Sequence, residues 1–136
     1  MQKIRVWIAG LLLISLVTGC QTVSNDQERG KDWDYTVVPT ADIPEDFLNE
    51  ILQRKINSFQ MTYEDGEYLY IAVGYGEQSG GGYSIQMNGL YEQGEQLCIQ
   101  TTLTGPPEDA IVSDKASFPY LVIKTQKTEK NVVFDS

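Results

Sequence analysis

YLYIAVGYGEQSGGGYSIQM, residues 68–87, decides how the rest of the chain is read. Tyr68-Leu69-Tyr70-Ile71-Ala72-Val73 is aromatic and β-branched, a composition suited to a pleated, half-buried surface. Tyr83-Ser84-Ile85-Gln86-Met87 alternates apolar with polar residues, the pattern of a strand with one buried and one wet face. Between them, Gly80-Gly81-Gly82 can adopt positive φ and bares its backbone N–H groups. Such a loop is either a plain hairpin turn or a place where another chain docks.

Upstream, Asp42 or Ile43 marks a helix cap, with Pro44, Glu45 and Asp46 in the first turn. Phe47, Leu48, Ile51, Leu52 and Ile56 follow at helical spacing and predict one apolar stripe. Phe59 to Tyr63 alternates as a strand, and Glu64-Asp65-Gly66-Glu67 reads as a hairpin turn of Asp-Gly type whose acids are solvated. Tyr35 to Val38 is a further short strand, ended by Pro39. Downstream, Asn88 to Tyr91 continues the strand and Glu92 to Glu95 turns. Leu97 to Leu103 then places Cys98 on the face opposite Leu97 and Ile99. Gly105-Pro106-Pro107 opens a loop through Ser117, Phe118 to Lys124 is the strongest late strand, and Val132 to Phe134 closes the sheet. The expected fold is α+β and mainly β: one N-terminal helix packed on an antiparallel sheet of about six strands.

The chain has 136 residues, with 19 acids, 10 bases, no histidine and a formal charge of −9. That balance argues against nucleic acid, which needs clustered Lys and Arg. Lack of histidine removes the usual general base, the usual zinc ligand and the Ser-His and Cys-His pairs. No catalytic residue, metal or cofactor is therefore expected.

The first residues read as an address. Lys3 and Arg5 precede an apolar run from Val6 to Val17, too short to span a bilayer comfortably, and Val17-Thr18-Gly19-Cys20 resembles the bacterial lipobox. The reading is a signal peptide over 1–19, lipidation of Cys20, a polar tether over 20–34 and one globular domain over 35–136. Acyl chains on Cys20 would hold the domain outside the cytoplasm, at the cell membrane or at an outer membrane. A lipidated Cys20 also leaves Cys98 without a disulfide partner.

Two blocks carry a family resemblance. Gly76-Glu77-Gln78-Ser79-Gly80-Gly81-Gly82-Tyr83-Ser84-Ile85 resembles the G-E-x-P-T-G-G-Y-x-I signature of the PrcB family. Pro107 through Ser117-Phe118-Pro119-Tyr120-Leu121-Val122-Ile123-Lys124 resembles that family's proline loop and S-[YF]-P-Y-x-V-[IV]-K block. The resemblance covers about residues 68–124, and Ser79-Gly80 departs from the family's Pro-Thr. It implies a non-catalytic accessory subunit associated with a surface protease. By position it points to Gly76, Glu77, Gly81, Gly82 and Tyr83 as contact residues; the alternative is that the glycines satisfy a turn and Tyr83 fills the core. Two other functions stand beside it. One is a chagasin-type protease inhibitor working through the glycine loop; the other is cell-wall carbohydrate binding on the tyrosines at 68, 70, 75, 83 and 91.

Overall fold

The computed structural model describes residues 29–135. They form strands β1 (Thr36–Val37), β2 (Ser58–Asp65), β3 (Tyr68–Tyr75), β4 (Ser84–Gln93), β5 (Gln96–Thr104), β6 (Tyr120–Gln126) and β7 (Asn131–Asp135). One α-helix, α1 (Glu45–Arg54), follows a 3-10 turn at Thr40–Asp42. The expected signal peptide, the lipidation at Cys20 and the tether up to residue 28 lie outside the described residues.

The mainly β fold with one helix is present, but the single antiparallel sheet is not. The strands divide into a four-stranded sheet, ordered β1-β6-β3-β2, and a three-stranded sheet, ordered β4-β5-β7. The pairing of β7 with β5 is parallel. Strands β3 and β4, read as the two arms of one hairpin, belong to different sheets. The glycine-rich stretch between them is a crossover.

Three layers result, and the four-stranded sheet that holds β3 is the middle one. Leu69, Ile71 and Val73 point into a core between the sheets with Leu90, Leu97, Ile99 and Ile123. Tyr70 and Ala72 point the other way, into a core with Phe47, Ile51, Val38 and Val122 beneath the helix. A strand covered on both sides reads as a continuous apolar run, which is why residues 69–73 show no alternation. Phe47 stacks on Tyr63 at 5.0 Å between ring centroids. Gly74 makes room for the helix-side packing. A Cβ there would overlap the ring of Phe59, its cross-strand neighbour, which lies directly over it.

Three further expectations are corrected. Of the apolar stripe on α1, only Phe47 and Ile51 are buried, whereas Leu52 is 44% exposed and Ile56 lies beyond the helix and is 58% exposed. A ten-residue helix of which two residues are buried needs a narrower stripe than the spacing suggests. The turn joining β2 to β3 has Gly66 and Glu67 as its central pair, and Gly66 alone has positive φ, +62°. That is the glycine-first type II′ arrangement rather than an Asp-Gly turn. Finally, the tether does not reach Asp34. The amides of Gly30 and Trp33 donate to Glu92 and Leu90, and the Glu92 amide donates to Lys31, at 2.7–2.9 Å. Trp33 is the cause: its ring packs on the inter-sheet core and its indole N–H donates to Glu92 Oε2 at 2.8 Å.

Ile71 has no surface in water and touches the inter-sheet core, while Leu52 borders solvent. In urea unfolding, Ile71→Ala is expected to lower stability by about 2–5 kcal/mol and Leu52→Ala by under about 1 kcal/mol. Equal effects would refute the layer assignment.

Candidate functional site

The two segments singled out in the sequence meet at one end of the sandwich. Strand β3 ends at Tyr75, whose amide donates to the Pro119 carbonyl at 3.1 Å, so the loop leaving β3 runs beside the loop entering β6. Gln78 and Ser117 then exchange a pair of backbone hydrogen bonds, 2.8 and 3.0 Å, as an antiparallel bridge. The Ser117 hydroxyl donates to the Gly80 carbonyl at 2.6 Å, and the Gly81 amide donates to the Ser113 carbonyl at 2.8 Å. The Gln78 side chain folds back onto the Tyr75 carbonyl at 3.2 Å.

Each sequence-predicted residue has a definite place in this unit. Gly76 is buried, has φ +78°, and would bring a Cβ to 3.0 Å from the Ser58 amide nitrogen. The following amide, of Glu77, donates to the Ile56 carbonyl at 3.0 Å, which ties the loop to the segment between α1 and β2, while the Glu77 side chain is exposed. Gly81 is held through its backbone to Ser113. Gly82 has φ +88°, and a Cβ there would lie 2.8 Å from both Pro106 Cβ and Val112 Cγ1. Tyr83 is half-buried, its ring against Gly105. The five therefore come together in one structural unit, and Glu77 is the one whose side chain stands in solvent.

The departure from the family pattern also has a geometric counterpart. A Cβ on Gly80 would lie 3.0 Å from the Ser113 carbonyl oxygen. Close approach of the two loops is easier with glycine than with the threonine of the pattern.

Sequence reasoning missed the proline loop's own contribution. Ile111 is 100% exposed and Val112 42% exposed. Ser113 and Ser117 supply the bonds that hold the loops together, and nothing in the spacing of two serines announces this.

Other candidates disperse. Tyr70 lies beneath the helix, Tyr75 faces the inter-sheet core and donates or accepts a 2.7 Å bond with Thr101, and Tyr68 is exposed under Lys124. Tyr91 is buried, with the Arg29 guanidinium 4.1 Å from its ring centroid. They form no common aromatic platform. Cys98 is buried opposite Tyr91, and its thiol donates to Gln93 Oε1 at 3.3 Å.

Residues 69–126 match the family model described as PrcB C-terminal. The match begins in β3, ends with β6 and contains both loops; α1, β1, β2 and β7 lie outside it. No curated protein and no solved structure matches the chain.

Two outcomes are expected. Gly82→Ala combines a left-handed backbone with overlap against Pro106 and Val112, so it should cost about 1–3 kcal/mol and speed hydrogen exchange at the Gly81 amide. Unchanged exchange would mean that the loops hold without this contact. Burial pushes both the Cys98 thiol and the Tyr91 phenol above their ordinary values of 9.0 and 10.0. The folded state therefore keeps these protons to higher pH than the unfolded chain does. Their contribution to stability is complete below pH 9 and is lost as pH rises through the raised values. Urea midpoints at pH 7 and pH 10 should show a smaller fall for Cys98→Ala than for the parent chain.

Proposed function

Because residues 69–126 carry the PrcB C-terminal match, we propose that the protein is a non-catalytic interaction module for a secreted or surface protein partner. The partner class that the family implies is a protease complex, which this chain would assist as an accessory subunit. Lipid on Cys20 would hold it at the membrane surface, outside the cytoplasm.

The observation that carries the proposal is the hydrogen-bonded pair of loops. Gly81 to Ser113, Gln78 to Ser117 and Ser117 to Gly80 fix the base of the unit, and Ile111 projects from it with all of its surface in water. A loop fixed before it meets its partner loses little conformational freedom on docking. An exposed isoleucine on such a base supplies apolar area that a partner can cover. Glu77 adds an exposed carboxylate on the glycine loop.

The test uses the full chain in intact cells, with a photoreactive residue replacing Ser79, Ile111 or, as a control outside the loops, Gln126. One discrete adduct from Ser79 and Ile111 and none from Gln126 is the expected result, together with release of the protein into the soluble fraction by Cys20→Ser. Diffuse labelling equal at all three positions would overturn the docking role. Where the adduct is a protease, its activity with and without this protein separates support from inhibition.

A further inference from the structure

The two sheets have four edges, and they are not equally protected. Strand β1 is two residues long and β7 five. Strand β4 carries a register shift between Met87 and Gly89 and is partly covered by Gly30–Trp33. Short strands, bulges and covering segments are the devices by which proteins blunt sheet edges. Strand β2 has none of them. It pairs with β3 without a break over eight residues, holds no proline or lysine, and is the last strand of its sheet.

Its unpaired backbone groups can be assigned. The two-residue turn Gly66-Glu67 makes Asp65 and Tyr68 the closing hydrogen-bonded pair. Pairs alternate from there, so Tyr63, Met61 and Phe59 bond to β3, while Glu64, Thr62, Gln60 and Ser58 turn their N–H and C=O groups outward. Among the described residues, no further backbone or side-chain hydrogen bond satisfies them. The side chains of the outward residues lie on the inter-sheet face, opposite Leu69, Ile71 and Val73, yet they are exposed because the second sheet stops short of β2. A cleft of about 300 Å³ remains there, with Val132, Phe134 and Lys130 on its far wall.

We infer that β2 is a docking edge for an extended segment of another protein, which adds a fifth strand to the four-stranded sheet. Main-chain hydrogen bonds to Gln60, Thr62 and Glu64 supply the pairing, and apolar side chains at alternate positions turn toward Val132 and Phe134. Charge selects the partner strand. The turn end of β2 carries three acids, Glu64, Asp65 and Glu67, opposed by Lys127, 4.0 Å from Glu64, and by Lys130 on the cleft wall, on a chain of formal charge −9. The segment therefore carries Lys or Arg across from Glu64, since opposite charges on facing strands stabilise and like charges repel. The same acidity disfavours a second copy of this chain as the occupant. The edge touches the loop pair where Ser58 backs Gly76, while Gln60, Thr62 and Glu64 supply the pairing, and neither reading depends on the other.

The probe is a synthetic eight-residue peptide, Lys-Val-Thr-Val-Thr-Val-Thr-Lys, blocked at both ends and titrated into the isotope-labelled chain. Saturable amide shifts at Gln60, Thr62 and Glu64, with hydrogen exchange there slowed about tenfold, are expected. The same peptide with N-methyl groups along its pairing edge should bind at least about tenfold more weakly. Thr62→Pro removes an outward N–H that β3 does not use, so it should weaken binding equally while the unfolding temperature changes little. Glu64→Lys should shift preference to the peptide with Glu in place of both Lys. Three results would each overturn the proposal: no saturable shift at about 1 mM peptide, indifference to N-methylation, or protection of the same amides by self-association without peptide.

Discussion

Burial of β3 on both faces is the constraint on which the rest of this molecule depends. Leu69, Ile71 and Val73 need a second sheet above them, and Tyr70 and Ala72 need a helix below. Each fully buried aliphatic side chain contributes about 1.5–3 kcal/mol, so neither covering layer is dispensable in a domain of this size. Strand β6, with Val122 on the helix side and Ile123 between the sheets, is held by the same two layers. These two strands form the rigid middle from which both loops emerge.

That arrangement explains how a glycine-rich segment takes a fixed shape. The end of β3 and the approach to β6 are neighbours in one sheet, tied by the Tyr75–Pro119 hydrogen bond. The segments beyond them therefore start side by side, and Gln78 and Ser117 continue the ladder for one more bridge. Glycine at 80, 81 and 82 lets the two backbones come within contact of Ser113, Pro106 and Val112. The family match, residues 69–126, contains both loops.

Much of this was legible in the residues. Alternation at Phe59–Tyr63 reported a half-buried strand, the apolar run at 69–73 reported strand structure, and Pro44 with Glu45 and Asp46 marked the start of the helix. What could not be read was which strands share a sheet. Periodicity reports the burial of a face, and an aliphatic residue looks the same in sequence whether a second sheet or a helix covers it. Here Ile71 faces the second sheet and Ala72 the helix. The parallel pairing of Val132–Phe134 with β5 was hidden for the same reason. At the candidate site, the glycines drew attention through their composition. Ser113 and Ser117 act through single hydrogen bonds, which leave no pattern, and Ile111 in a polar loop gave no sign that it would stand free of the core. Trp33 sits inside the stretch read as tether, and only its contacts with the core and Glu92 show that residues 30–33 are held against β4.

The order of the strands also governs the path by which the domain is made. Lys124 pairs with Thr36 on one side and Tyr70 on the other, so the four-stranded sheet joins residues from opposite ends of the domain. The three-stranded sheet needs β7, the last strand in sequence, laid parallel along β5. Neither sheet can close around β3 until nearly all of the domain has been synthesised. Closing such long loops before their contacts form slows folding relative to a helical domain of similar length. Until then α1, which precedes the hairpin of β2 and β3 in the chain, can cover one face of β3, while Leu69, Ile71 and Val73 lack the second sheet, and that face is open to a chaperone or to a wrong neighbour.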